Sequence, residues 1–197
     1  MNRDPETSPL ASPTATGRPR AGRRRGERGA TLVEAAIAVA VAAISVGLAI
    51  PGFGSALERR HLEGVASQLE TDLQYTRSLA VARDQTLRIG FDRDAQSSCY
   101  VVHTGGPGAC HCSAAAEPVC TGAAVALRSV VYGPGMPVSL RSNVGSIAFE
   151  ATKGTVTPTA SIEVRAQGGG AIRQIVNVMG RVRSCSPAPA LPGYKPC

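Results

Sequence analysis

One stretch of this chain limits what it can be. From Ala35 through Leu57 there is no charged residue, and the basic cluster Arg23-Arg24-Arg25-Gly26-Glu27-Arg28 lies shortly before it. At about 1.5 Å per residue, a helix from Ala30 to Ile50 spans roughly 30 Å, the hydrocarbon thickness of a bilayer. No second long apolar run exists, which excludes a polytopic transporter. Basic residues ahead of the run place the leader in the cytoplasm and the rest of the chain outside. Glu34 interrupts the start of the run. A carboxylate in lipid costs a few kcal/mol, so it asks for a partner. It also argues against an ordinary secretory signal, whose apolar region carries no charge, although Val46-Gly47-Leu48-Ala49 would pass as a cleavage site.

Residues 1–28 are rich in Pro, Ser, Thr, Gly and Arg, and Leu10 is their only large aliphatic residue beyond Met1. Such a segment buries too little apolar surface to offset its chain entropy and reads as disordered. The net charge of +7 is segregated: residues 1–29 hold +4 of it, and nothing acidic follows Glu163, whereas Arg165, Arg173, Arg181, Arg183 and Lys195 do. Each end therefore needs its own explanation.

Beyond Leu57 the pattern is helical to about Gln85. Leu62, Val65, Ala66, Leu69, Leu73, Thr76, Leu79 and Ala80 recur at spacings of three and four, while Glu58, Arg59, Glu63, Glu70, Asp72 and Arg77 lie mostly off that stripe. Joined to the apolar run, this predicts one long helix. After Asp84, β-prone runs separated by Gly, Pro, Asn and Asp predict strands near Thr86–Phe91, Ser98–His103, Val125–Val131, Val138–Leu140, Val144–Phe149, Ser161–Ala166 and Ile172–Val178. Gly168-Gly169-Gly170 reads as a hairpin loop; a phosphate cradle would need a strand-to-helix setting. A helix followed by a run of strands predicts an α+β fold with an antiparallel sheet. With Gly 22 and Pro 14, the composition suits many turns and short strands better than a helical bundle.

Gly29-Ala30-Thr31-Leu32-Val33-Glu34 resembles the class III signal of type IV pilins and type II secretion pseudopilins. The resemblance implies that a prepilin peptidase/N-methyltransferase cuts after Gly29 on the cytoplasmic face and methylates Ala30. Glu34 becomes the fifth mature residue, and Pro51 the twenty-second, where the family commonly has a helix-kinking proline. Glu34 would pair with the N-terminal amine of a neighbouring pilin or pseudopilin, so that two charges costly in lipid neutralise each other. Ala30 departs from the family, where phenylalanine is more usual. The order of helix and strands is similar to the minor pilins and pseudopilins of the FimT and GspH kind. The implied fold is α+β and type IV pilin-like, a long N-terminal helix on an antiparallel sheet. The expected divisions are a leader (1–29), a transmembrane helix half (30–57) in the bacterial inner membrane, a globular domain (58–185) exposed in the periplasm or on a pilus, and a Pro-rich tail (186–197).

The six cysteines are Cys99, Cys110, Cys112, Cys120, Cys185 and Cys197. An even count in an exported domain favours disulfides, here with 15 possible complete pairings. Cys185 with Cys197 would hold the tail, and two bridges would lie among the other four. Cys110-His111-Cys112, with Cys99, His103 and Cys120 near it, offers a metal reading instead, but Cys-x-Cys is tighter than usual zinc-ligand spacing. No metal or other cofactor is expected. Neither His61 nor His103 sits in a nucleophile–base pattern, no phosphate loop or His-Glu-x-x-His motif occurs, and the expectation is that the chain is not an enzyme.

Gly180-Arg181-Val182-Arg183 follows the apolar stretch Ile175–Met179. In extended backbone Arg181 and Arg183 share one face, about 6.5–7 Å apart, which matches successive phosphates on a nucleic-acid strand. A solvated strand face shows the same pattern. Gly-Arg-x-Arg near the C-terminus resembles the motif of FimT-type minor pilins that bind DNA during natural transformation. The resemblance makes Arg181 and Arg183 the DNA-contacting pair and Gly180 the turn presenting them. Local composition adds Arg165, Arg173 and Lys195 as further contacts. Double-stranded DNA would be bound through its phosphates without sequence preference, and base stacking would be minor, since Tyr194 is the only aromatic nearby. The competing expectation is a GspH-like pseudopilin, a structural subunit of the type II secretion apparatus with no nucleic-acid role.

Overall fold

The structure, a computed structural model, describes residues 31–113 and 117–197, with backbone only at 48–53. It divides into two units, Met1–Ile44 and Ser45–Cys197. One helix, α1 (Leu32–Ala82), begins in the first and ends in the second. Thr31 caps it: the Glu34 backbone N–H donates to Thr31 Oγ1 at 3.3 Å. Thr-x-x-Glu is the sequence form of a capping box, and a carboxylate in the first turn complements the helix dipole. Leu32, Val33, Ile37, Val39, Val41 and Ile44 are all exposed, so this first part is apolar around its circumference. Among the described residues no helix is long and apolar enough to cross a membrane. The sequence-predicted span Ala30–Ile50 begins one residue before them and ends where only backbone is described, and Gly29, Ala30 and the Pro51 side chain lie outside them.

In the second unit α1 presents Leu62, Ala66, Leu69, Leu73, Thr76 and Ala80 to the core, the stripe the spacing predicts. The helix ends at Ala82, three residues before the predicted Gln85. The strands are β1 (Leu87–Arg93), β2 (Ser98–His103), β3 (Cys110–His111), β4 (Val119–Cys120), β5 (Ala126–Tyr132), β6 (Val138–Ser142), β7 (Ser146–Phe149), β8 (Val156–Thr157), β9 (Ala160–Ala166), β10 (Ala171–Val176) and β11 (Val182–Cys185). Every pairing is antiparallel. They make a five-stranded sheet β5-β2-β1-β7-β8, a four-stranded sheet β11-β10-β9-β6 and the ribbon β3-β4. Leu87, Ile89, Tyr100, Ile147 and Phe149 from the first sheet meet Ile162, Val164, Ile172 and Val176 from the second in one core under the helix. Burying each such side chain contributes about 1.5–3 kcal/mol.

Asp72, grouped by its charge with the residues mostly off the apolar stripe, stands three residues after Leu69 and four before Thr76 and is 2% exposed. It is buried because it is fully partnered. Gln68 Nε2 donates to Oδ1 at 3.0 Å, the Tyr100 hydroxyl donates to Oδ2 at 2.6 Å, and Arg128 Nε stands 2.9 Å from Oδ2. Burial pushes the Tyr132 phenol up to about 12 and raises that of Tyr100 as well, so both are neutral at pH 7.

The cysteines form three bridges, Cys99–Cys112, Cys110–Cys120 and Cys185–Cys197. Cys110–Cys120 closes the β3-β4 ribbon and Cys99–Cys112 fastens it to β2 of the five-stranded sheet, where Cys99, Val101, Cys110 and Cys112 form a small second core. Asp92 holds the ribbon from below, accepting from the Cys112 N–H at 2.9 Å and contacting His111 Nδ1 at 3.0 Å. Asp92, Cys99 and Cys112 are near enough together to share an ion, but the two sulfurs are bonded to each other. The third bridge draws the tail back on β11: the Ser186 N–H donates to the Lys195 carbonyl, the Cys197 N–H to the Ser186 carbonyl, and Leu191 and Tyr194 pack against the core.

Candidate nucleic-acid interface

Residues 177–181 connect β10 to β11 in a three-residue hairpin. The Gly180 N–H donates to the Asn177 carbonyl at 2.9 Å, and the Asn177 N–H donates to the Arg181 carbonyl at 3.1 Å. Asn177 Oδ1 also accepts the Arg181 N–H at 2.9 Å. Gly180 has φ +71°, the left-handed position such a loop needs after its turn. The Val156 N–H of β8 donates to the Val178 carbonyl at 2.8 Å, fixing the loop to the neighbouring sheet.

Along β11 the faces alternate as extended backbone requires. Val182 and Ser184 face inward: Val182 packs on the core, and Ser184 Oγ lies 2.8 Å from Gln174 Oε1 and 3.0 Å from Glu70 Oε2 on the helix. Arg181 and Arg183 face outward and are exposed. Neither is in an ion pair with a described residue. β11 is one of four strands, with β3, β4 and β8, that the residue pattern did not predict.

The register carries the outer face across the whole sheet. Arg183 stands opposite Ile175, Arg173 stands between Cys185 and Glu163, and Glu163 stands opposite Arg141. Two of the additional arginines named from composition are engaged internally. Arg165 Nη2 is 2.6 Å from Glu163 Oε1, and Arg173 Nη2 is 2.8 Å from Oε2. Burial alone would raise the Glu163 carboxyl, but hydrogen bonds from Arg173 and Arg165, with their charges, outweigh it and hold the group below its ordinary range. Lys195 is exposed in the tail, with no ion pair to a described residue. Sequence reasoning missed Arg77, which reaches from α1 to the Gly180 turn; its helical spacing marks it only as outside the apolar stripe.

A family model described as "Type II transport protein GspH" matches residues 65–180, more than half of the chain. The chain belongs to the GspH family. The match covers the rear of α1 and every strand up to β10, and it ends at Gly180, just ahead of the arginine pair. Solved structures similar to this GspH-family chain include the type IV minor pilin FimU of Pseudomonas aeruginosa. One FimU crystal form has 21% identity and a TM-score of 0.49, covering 66% of this chain and 96% of that one. Another is the minor pseudopilin EpsH of the type 2 secretion system of Vibrio cholerae, with 12% identity and a TM-score of 0.43 over 65% of this chain and 98% of that one. No curated protein matches significantly.

Proposed function

We propose that this GspH-family chain is a minor pilin of a type IV pilus whose globular domain captures extracellular double-stranded DNA through Arg181 and Arg183. The supporting observation is the placement of the two guanidiniums. They stand on one outer face of a strand and its turn, which a disulfide and a hydrogen bond to β8 hold in place, and neither is in an ion pair with a described residue. Fixed cations two residues apart on a strand can each replace a counterion on the DNA backbone, a sequence-independent attraction that salt weakens.

The N-terminal assignments complete the proposal. The leader is removed between Gly29 and Ala30, Ala30 is methylated, residues 30–57 anchor the chain in the inner membrane, and Pro51 kinks the helix. Glu34, in the first helical turn, would be the fifth residue after the cut and offers its charge to the amine of an adjacent subunit. Other pilins and the prepilin peptidase are the partners this implies.

The test is a DNA titration with the full chain in detergent. Wild type is expected to bind duplex DNA at low salt, with log K falling by about 0.9 per phosphate contacted for each unit of log salt. Arg181→Gln with Arg183→Gln is expected to abolish the complex; binding unchanged by that pair of substitutions overturns the DNA reading and leaves family membership intact. A pseudopilin role in type II secretion is the second reading. The family match favours it, because it carries that description and stops before the arginine pair.

A further inference from the structure

Gly180 is buried, although Met179 and Arg181 on either side of it are exposed. What covers it is Arg77 of α1. A Cβ at Gly180 would lie 2.8 Å from both Arg77 Cδ and Nε, and 2.7 Å from the Gly154 carbonyl oxygen. Gly154, between β7 and β8, is the other wall: its carbonyl accepts the Arg77 Nε–H at 3.0 Å, and a Cβ there would lie 3.0 Å from Arg77 Cγ and Nε. Both glycines have positive φ, +61° and +71°. The arginine stem therefore passes through a slot that two glycine backbones form, and any larger residue would close it.

The far end of that side chain is not accounted for inside the protein. Arg77 is half-buried and makes no ion pair with a described residue, and among the described residues Nε supplies the one hydrogen bond of its side chain. The Glu150 carboxylate, the acid of the adjoining loop, accepts the Thr155 hydroxyl at 2.7 Å. Lys153, the residue before Gly154, is exposed. A guanidinium whose stem is held against the turn that presents two more, with none of the three in an ion pair with a described carboxylate, leaves three positive charges for an external anion.

We infer that Arg77 is a third phosphate-contacting cation of the site, delivered by the long helix and positioned by the Gly154–Gly180 slot. The inference rests on the DNA reading above and extends its footprint from one hairpin to the helix. It also gives Gly180 a second task, since the residue must be small for Arg77 as well as left-handed for the turn.

The test is the salt dependence of duplex-DNA binding by the full chain in detergent, compared for wild type, Arg77→Gln, Arg77→Lys and Arg181→Gln with Arg183→Gln. Arg77→Gln is expected to reduce the magnitude of the log–log slope by about 0.9, the value of one phosphate contact, and Arg77→Lys to restore the wild-type slope. Equal slopes for wild type and Arg77→Gln, while the double substitution still abolishes binding, overturn the inference alone. Loss of slope in both Arg77→Gln and Arg77→Lys also overturns it, because the charge would then not be what matters and Arg77 would only shape the turn. Binding that survives the double substitution removes the DNA reading itself. Gly180→Ala adds a check without altering charge: weakened binding is expected from the blocked slot, and wild-type affinity would overturn the positioning role.

Discussion

Two groups of arginines on this domain look alike in the sequence and differ in the fold. Arg165 and Arg173 lie on neighbouring strands and close on a shared carboxylate, Glu163, from two sides. Arg181 and Arg183, on the next strand and its turn, have no such partner among the described residues. The first group is an internal cross-brace between β9 and β10, and the second is a cationic edge left open to solvent. The difference teaches that counting basic residues near a C-terminus overstates the charge a ligand would meet, because one acid placed between two strands neutralises part of it.

The largest effect should appear at Cys185, which lies on β11 with Arg183 and stands opposite Arg173 of β10. Replacing Cys185 and Cys197 with serine frees the tail from β11, and loss of a loop of this size is expected to cost about 3 kcal/mol by denaturant titration. A cost below about 1 kcal/mol would show that the bridge does not support the arginine strand. Next comes a direct contrast of the two groups by the same measurement. Arg165→Gln with Arg173→Gln leaves Glu163 half-buried and unpaired, and a loss of about 1–3 kcal/mol is expected. Arg181→Gln with Arg183→Gln should stay within about 0.5 kcal/mol of wild type, as surface changes do. If the second pair proved the more destabilising, the division into brace and open edge would be broken.

The smallest effect concerns pH. Because the folded-state Glu163 carboxyl titrates below its ordinary value of 4.5, the folded state favours the ionised form. Its contribution to stability is complete above the unfolded-state value and is lost as pH falls through the folded-state value. Glu163→Gln should therefore be less stable than wild type at pH 7, with the gap closing in acid; a gap that persists unchanged to pH 2 would show that the carboxylate's charge is not involved.

Much of the architecture was legible because apolar spacing is periodic. The α1 stripe and strands such as β2 follow directly from it. What was hidden depends on partners distant in sequence. The two-residue strands β3 and β4 exist because Cys110–Cys120 and Cys99–Cys112 hold them, and β8 exists because Val156 and Thr157 pair with Phe149 and Ala148 of β7, with the Val178 carbonyl taking the Val156 N–H. β11 was read as a basic motif and not as a strand, since Arg181 and Arg183 carry no β signal of their own. Asp72 reads as a surface acid until Tyr100, 28 residues away, and Arg128, further still, come to meet it. At the candidate site the outward arginine pair was visible in the alternation. The Glu163 brace and the Arg77 slot were not, because strand register and two glycines far apart in the chain create them.

The Asp72 cluster also constrains how the long helix can be used. An apolar stripe alone tolerates some rolling of a helix on a sheet, since one aliphatic contact can be exchanged for the next. A single charged oxygen gripped by a phenol and a guanidinium from two strands does not, because turning by one residue, about 100°, would strand it in hydrocarbon. Within the second unit, the angular setting of the rear of α1 is thereby indexed to the sheet beneath it like a key in a slot.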